Sequence, residues 1–243
     1  MAQGISELSV ILPAYNEGEY IEVTLRQLKA ELDKLNIPYE ILVVNDGSKD
    51  DTAARATRCA SGQIRVLSYA HNRGKGYAVG YGMRHASGKY RLFMDVDLST
   101  SLDMVGQFLA ILKEGSYDLV IGNRKTKFSE QKIKQPFYRR FFGEGFTWIS
   151  SLLIGRRTAD FTCGFKMYTA RAAEIIFTRQ KIFDWAFDAE LIYIALLHNL
   201  RIHEAPVIWQ HHSDSRVRVV RDILTSLLSL FKMRINSLRG LYL

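Results

Sequence analysis

The strongest constraint on this chain is a rhythm in its first 123 residues, where short β-rich apolar runs alternate with stretches of helical pattern. Strands are expected at Leu8–Leu12, Glu40–Asn45, Ile64–Tyr69, Tyr90–Asp95 and Asp118–Gly122. Helices are expected between them at Glu19–Leu35, Asp51–Ser61, Lys75–Ala86 and Leu102–Lys113. Strands separated by helical patterns of roughly 10–15 residues form βαβ units and a mainly parallel sheet. Ligands of such sheets bind beyond the carboxyl ends of the strands, near the switch in strand order.

The second half breaks the rhythm. Lys125–Gln135 is a basic polar loop and Pro136–Gly155 an aromatic-rich helical region. An Asp160–Tyr168 turn and strand, a helix at Ala186–His198, a strand at Ile202–Trp209 and a C-terminal helix follow. A length of 243 residues suits one elaborated domain. Cys59 and Cys163 lie far apart with no CxxC, which argues against a disulfide scaffold or a zinc knuckle. His211-His212 has no partner at metal-ligand spacing, and neighbours on a strand face opposite ways. The net charge is +8, but it is concentrated: seven Lys/Arg against one Glu in Arg124–Arg140, and six against one Asp in Ser215–Leu243. The remainder is net acidic, so the basicity suggests one anionic partner surface.

The chemistry-bearing motifs follow the strands. Pro13-Ala14-Tyr15-Asn16-Glu17 closes the first; Pro stops ladder pairing, and Asn16 with Glu17 can open the next helix. The second ends in Asn45-Asp46-Gly47-Ser48, followed by Asp50 and Asp51. A carboxylate placed directly after a buried strand points into the crevice, where Asp46 could accept hydrogen bonds from a nucleobase or ribose. Read more plainly, Asp46-Gly47 is a turn pair and Ser48 or Asp50 a helix N-cap. His71-Asn72-Arg73-Gly74-Lys75-Gly76 follows the third strand and suits a phosphate approaching a helix start, though it lacks Walker A spacing. The fourth ends in Asp95-Val96-Asp97-Leu98-Ser99. Two acids one residue apart at a strand end are hard oxygen ligands for Mg²⁺ or Mn²⁺ held jointly with substrate phosphates.

As a set, these residues resemble glycosyltransferase family two, and the resemblance runs from Ser9 to about Leu230. Within the family the chain is most similar to polyprenyl- and dolichyl-phosphate hexosyltransferases, above all the dolichyl-phosphate β-glucosyltransferase type. The supporting segments are Gly74-Lys75-Gly76, Ile121-Gly122-Asn123-Arg124, Asp160-Phe161-Thr162-Cys163-Gly164-Phe165-Lys166 and Trp185-Ala186-Phe187-Asp188-Ala189-Glu190-Leu191. The resemblance implies an α/β protein with the GT-A nucleotide-diphospho-sugar transferase fold, its central sheet mainly parallel and flanked by helices. It implies a single domain over residues 1–243, with a nucleotide-sugar-binding half, 1–123, and an acceptor-side half, 124–243.

It also implies roles. Pro13, Ala14, Tyr15, Glu17 and Asp46 would surround the nucleoside, with Lys75 close to the nucleotide. Asp95 and Asp97 would hold a Mg²⁺ or Mn²⁺ ion at the diphosphate. Related mannosyl enzymes carry a metal-holding Gln two residues after the second acid, where this chain departs with Ser99. Arg124 matches the basic residue at the acceptor phosphate, and Arg139 and Arg140 lie in the variable acceptor-side segment; the planar guanidinium fork suits phosphate. Asp160 matches an acid near the transferred sugar, which makes Asp97, Asp160 and Arg124 the catalytic set. The implied activity is inverting, metal-dependent transfer of a hexose to a polyprenyl or dolichyl phosphate, with UDP-glucose ahead of GDP-mannose as donor.

The same fold acting on a soluble or polysaccharide acceptor stays open. A nucleic-acid-binding module fits poorly, because Asp46, Asp95 and Asp97 in the cleft would repel a phosphate backbone. Val220, Ile223, Leu224, Leu227, Leu228, Phe231, Ile235 and Leu238 fall at helical spacing among Arg216, Arg218, Arg221, Lys232, Arg234 and Arg239. That helix either covers the core or lies on an anionic membrane surface. The longest uncharged stretches of this half, Gly145–Gly155 and Ile223–Phe231, fall short of the roughly 20 residues a spanning helix needs. Leu8–Ala14 is likewise too short for a signal-peptide core. The expectation is a peripheral enzyme on the cytoplasmic face of a membrane.

Overall fold

A computed structural model describes residues 6–125, 150–155, 160–210 and 219–243. Seven strands make one sheet: β1 (Leu8–Ala14), β2 (Tyr39–Asp46), β3 (Ile64–Tyr69), β4 (Tyr90–Met94), β5 (Leu119–Asn123), β6 (Phe165–Thr169) and β7 (Ile202–Pro206). Every residue of β2 is buried, and a strand without a wet face must be covered on both sides. Ile11, Leu42, Val44, Phe93 and Ile121 point into one core. Their neighbours Val10, Leu12, Ile41, Val43, Leu92, Met94 and Val120 point into the other. The period of two thus divides each strand between two layers of helix.

The helices are α1 (Ile21–Asp33), α2 (Thr52–Arg58), α3 (Lys75–His85), α4 (Met104–Lys113), α5 (Ala170–Arg179), α6 (Phe187–Leu197) and α7 (Val219–Leu238). In α1 the buried Ile21, Leu25, Leu28 and Leu32 recur at three- and four-residue spacing, the stripe that fastens it to the sheet. The strand order is β3-β2-β1-β4-β6-β5-β7. All pairings are parallel except those of β6, which runs antiparallel to β4 and β5. The order reverses at β1, which pairs with β2 on one side and β4 on the other. A crevice opens where such connections diverge, beyond the carboxyl ends of β1, β2 and β4.

The expected elements are present, with shifted ends. β4 stops at Met94, so Asp95 already lies in the loop. The strand expected at Ile202–Trp209 ends at Pro206, whose ring nitrogen has no proton for the ladder, and Trp209 returns only as an isolated bridge to Thr100. Residues 150–154 are helical. The expected basic loop at Lys125–Gln135, apart from Lys125 itself, and most of Pro136–Gly155 lie outside the described residues. No described helix is long and apolar enough to cross a membrane.

Nine successive residues of α6, Phe187 to Ala195, are buried. A helix buried all round is a central element, and two of those residues are acids. A buried carboxylate needs donors or a counter-charge. Asp188 pairs with Lys166, also fully buried, and the Lys166 ammonium donates to the Cys163 carbonyl at 2.8 Å. Glu190 accepts from the backbone N–H of Lys181 at 3.0 Å, that of Ile182 at 2.9 Å and the Tyr242 hydroxyl at 2.5 Å.

Burial pushes the Glu190 carboxyl up to about 7, against the pull of those three donors and of Lys181. Because the folded state holds this proton more tightly than the unfolded chain, stability falls as pH rises from about 4.5 to about 7. That contribution is on the order of 3 kcal/mol. Denaturant titrations across this window should show the loss in the wild type and a flatter profile in Glu190→Gln, which stays neutral throughout.

Candidate active site

The loop after β1 is tied to the loop after β2 by polar contacts. The Asn16 N–H donates to Ser48 Oγ at 3.0 Å, Lys49 N–H to Asn16 Oδ1 at 2.7 Å, Glu17 N–H to Thr52 Oγ1 at 2.7 Å and Gly18 N–H to Asp50 Oδ2 at 3.1 Å. Asn16 holds a left-handed φ of 54°, which asparagine tolerates better than most residues. Ser48 therefore reaches across to the first loop instead of capping its own helix. Pro13 and Ala14 end β1 beside Val44 and Asn45 of β2, so Tyr15 and Glu17 stand over the same end of the sheet as Asp46.

Asp46 is buried and already well supplied with donors. Its Oδ1 accepts from Arg73 N–H at 2.7 Å; its Oδ2 accepts from Asn72 Nδ2 at 2.9 Å and Gly74 N–H at 3.0 Å. Burial raises the carboxyl above its ordinary range despite the pull of these donors. Its principal role within the chain is to shape the loop leading to Lys75. Gly47 makes the approach possible: it has a φ of +65°, and a Cβ there would lie 2.6 Å from the Asn72 nitrogen. Arg73 lies over the Tyr77 ring, 3.6 Å from its centroid.

Lys75 opens α3 and its ammonium stands 2.5 Å from Asp95 Oδ1. Burial pulls its pKa down, but Asp95, Asp188 and Asp97 outweigh that and raise it above the ordinary lysine value. The Asp95 carboxylate also lies over Gly164, where any Cβ would collide with it. Asp97 Oδ1 accepts from the Ser99 N–H at 2.9 Å, around Leu98 at a φ of 54°. A leucine in the left-handed region is strained, and such strain gathers at functional turns. Thr24 of α1 donates to the Val96 carbonyl at 2.6 Å and so anchors the segment between the acids.

Asp95 and Asp97 offer two carboxylates, and among the described residues no group of three or more His, Cys, Asp or Glu could hold a metal ion. Mg²⁺ and Mn²⁺ are commonly held by one or two carboxylates together with substrate phosphates. The donor set therefore fits a cation shared with a bound diphosphate, and Ser99 is engaged through its backbone.

Arg124, just beyond β5, and Asp160 form a two-pronged ion pair. Arg124 Nε donates to Asp160 Oδ2 and Nη2 to Oδ1, both at 2.7 Å, and the Arg124 backbone N–H adds a third bond at 3.0 Å. Nη2 also reaches Thr162 Oγ1 at 2.9 Å, and the guanidinium faces Trp209. Burial alone would lower the arginine pKa, but Asp160 overrides it and raises it further. Burial likewise pushes Asp160 up, and Arg124 brings it below its ordinary range. The two residues read separately from the sequence, one for a phosphate and one for a sugar, are thus each other's partner. Arg139 and Arg140 lie outside the described residues. Unassigned by the sequence reading were Lys166, Asp188 and Glu190, although each falls in a segment that carried the family resemblance. A charge in an apolar run such as Ala186–Ala195 was the available signal.

A family model described as glycosyl transferase family 2 matches residues 9–177. The dolichyl-phosphate β-glucosyltransferases of Drosophila melanogaster and Homo sapiens are 34% and 31% identical to the chain over 87% of its length and 69% of theirs. One from Trichomonas vaginalis is 34% identical over 86% of the chain and 65% of its own length. The chain thus spans about two thirds of these relatives. Among solved structures, glucosyl-3-phosphoglycerate synthase from Mycobacterium tuberculosis, in complex with Mn²⁺, UDP-glucose and phosphoglyceric acid, superposes with a TM-score of 0.68 at 19% identity, covering 95% of this chain and 79% of that one. Its complex with Mn²⁺, UDP and glucosyl-3-phosphoglycerate gives 0.67 at 20%, with the same coverage. The fold is the GT-A fold, and the chain belongs to glycosyl transferase family 2.

Proposed function

We propose that the chain transfers glucose from UDP-glucose to a dolichyl or other polyprenyl phosphate, with inversion, at a membrane surface. The observation that carries this reading is the meeting of Lys75, Asp95 and Asp97 beyond β4, at the reversal of strand order. Similarity to several dolichyl-phosphate β-glucosyltransferases supports the sugar and the acceptor. Asp95 and Asp97 would hold Mg²⁺ or Mn²⁺, which when bound neutralises charge on the leaving diphosphate. Pro13, Ala14, Tyr15 and Glu17 line the nucleoside side of the crevice, and Asp46 takes part by holding the Arg73–Gly74 loop against it. Lys75 sets a fixed positive charge where the diphosphate departs, stabilisation that needs no rearrangement during reaction.

The acceptor phosphate oxygen attacks the anomeric carbon from the face opposite the diphosphate; the new C–O bond forms as the bond to the diphosphate oxygen breaks and UDP leaves. The second pKa of a phosphate monoester is about 6, so the nucleophile is already anionic and needs no strong base. Asp160 is poorly suited to be one, because Arg124 holds its carboxyl low. Its role is to orient Arg124 toward the acceptor phosphate, a contact Arg139 and Arg140 are proposed to share.

The C-terminal helix supports the membrane location. Leu230 and Met233 of α7 face the core, whereas Leu228, Phe231, Ile235 and Leu238 are 48–86% exposed. Of the described side chains of the apolar stripe read from the sequence, Leu227 is partly buried and the other four lie outside, with Lys232 and Arg239 also exposed. Apolar side chains among cations are the composition of an interfacial helix on anionic lipid.

A donor screen with a short polyprenyl phosphate should show UDP release from UDP-glucose and little GDP release from GDP-mannose. Asp97→Asn should lower metal-dependent turnover on the order of 10²-fold; turnover near the wild-type rate without added metal would remove the metal assignment. Asp46→Ala leaves the Arg73 and Gly74 amides without their acceptor, so it should raise the donor KM about tenfold and affect kcat less. Sedimentation with anionic vesicles should pellet the protein at low salt and release it at high salt. Replacing Phe231 and Leu238 together by Ser should abolish pelleting but spare transfer to a soluble acceptor. Absence of pelleting by the wild type at low salt would favour a soluble acceptor.

A further inference from the structure

We infer that Glu190 and Tyr242, neither of them in hydrogen-bond contact with Lys75, are positioning residues for the donor: through the segment from Gln180 to Asp184 they set where Lys75 stands. The inference rests on the reading of Lys75 as the cation at the donor diphosphate.

The geometry runs outward from Lys75. Its backbone is held on both sides. On one side the Gly74 N–H is fixed by Asp46. On the other, the Gly76 N–H donates to the Phe183 carbonyl at 3.1 Å, and the Gly76 carbonyl accepts from Gln180 Nε2 at 2.9 Å. Gln180 Nε2 also donates to the Ile182 carbonyl at 3.1 Å, so the Gln180–Phe183 turn grips α3 as a unit. The Phe183 ring meets Tyr77, the next residue of the same helix, edge-on, 5.4 Å between centroids.

This turn lies outside regular secondary structure, and its own conformation is set by Glu190. One carboxylate takes both successive amides, Lys181 and Ile182, an arrangement that fixes the peptide plane between them. The Glu190 carboxylate is in turn oriented by the Tyr242 hydroxyl, which also accepts from Asn236 Nδ2 at 3.3 Å. Tyr242 is fully buried, and its carbonyl accepts from His198 Nε2 at 2.7 Å. A second contact converges on the same segment: Ser229 of α7 donates to Asp184 Oδ2 at 2.5 Å. The C-terminal helix and tail therefore act on the turn at Glu190 and at Asp184, and the turn acts on Lys75 through Gly76.

Tyr242→Phe keeps the ring in its pocket and removes only the hydroxyl, so it tests the link without emptying the core. The probe is UDP with Mn²⁺, bound to the whole chain and followed by calorimetry, with steady-state kinetics alongside. The expected result is a fivefold to tenfold loss of UDP affinity, the size of one hydrogen bond. The donor KM should rise in parallel, while kcat and the acceptor KM stay near wild type. Glu190→Gln retains an acceptor for the Lys181 and Ile182 amides and should bind UDP better than Glu190→Ala. Ser237→Ala, which removes the partner of the Tyr193 hydroxyl on the same helix, should leave UDP affinity unchanged. Unchanged UDP affinity in Tyr242→Phe, or an equal loss in Ser237→Ala, would overturn the inference and leave the tail as packing alone. A wild type that binds UDP but transfers no glucose would overturn the proposed reaction and leave this link standing; a wild type that binds no UDP would overturn both.

Discussion

The ammonium of Lys75, 2.5 Å from Asp95, is the point on which the crevice depends. A lysine is a point charge on a flexible stem with about 2 kcal/mol of rotamer entropy, so its usefulness depends on what holds it. Here the head is held by Asp95, and the peptide groups on either side of the residue are anchored to separate parts of the chain. Asp46 of β2 fixes one side and the turn before α6 the other. Two segments more than a hundred residues apart thereby agree on the position of one charge. For the reaction proposed above, such agreement is what preorganisation would require, because a charge already in place costs nothing to reorganise when a leaving group develops its own.

The same logic extends to the other acids. Asp46, Asp160, Asp188 and Glu190 are all buried, and burial disfavours the charged form of each. What differs is the compensation. Asp160 has a full guanidinium and its pKa falls; Asp46 and Glu190 have mainly backbone amides and hydroxyls, and theirs rise. Asp188 rises although Lys166 is its ion partner, since both lie beneath the sheet's end where water cannot help. Breaking a pair of that kind strands a charge in the interior, so it is a fixed part of the frame around Lys75 and Asp95.

Most of the element order was legible because a parallel sheet imposes a local signature, an apolar run followed by a helical stripe. The positions of Asp46, Asp95 and Asp97 were legible for the same reason: each stands at, or just beyond, a strand end that the pattern marks. Partners were not legible. Asp46 was expected beside a nucleoside, and nothing in its local sequence states that amides 27 and 28 positions further on donate to it. Arg124 and Asp160 carried separate expectations because nothing in their local sequence states that residues 36 apart will pair. The reversal of β6 was hidden too: Phe165–Thr169 is buried like the strands beside it, and its direction is set by connections, not by its residues.

α7 shows how two readings of one stripe can both hold. A helix that covers a core ordinarily spends its apolar face doing so. Among the described side chains of α7 the core side is narrow: Leu230 and Met233, with Leu227 partly buried, alongside buried Ser226 and Asn236. Fixed polar contacts supplement it: Ser229 to Asp184, the Tyr193 hydroxyl to Ser237, and Asn236 to Tyr242, which continues to Glu190. Polar links hold register without consuming apolar area, and so Leu228, Phe231, Ile235 and Leu238 remain outside. The proposed lipid contact would therefore use a different face from packing, and the two would not compete. A protein surface that met lipid with its core-forming stripe would have to unfold to do so; the membrane contact proposed for α7 would leave every bond to the α6 region made.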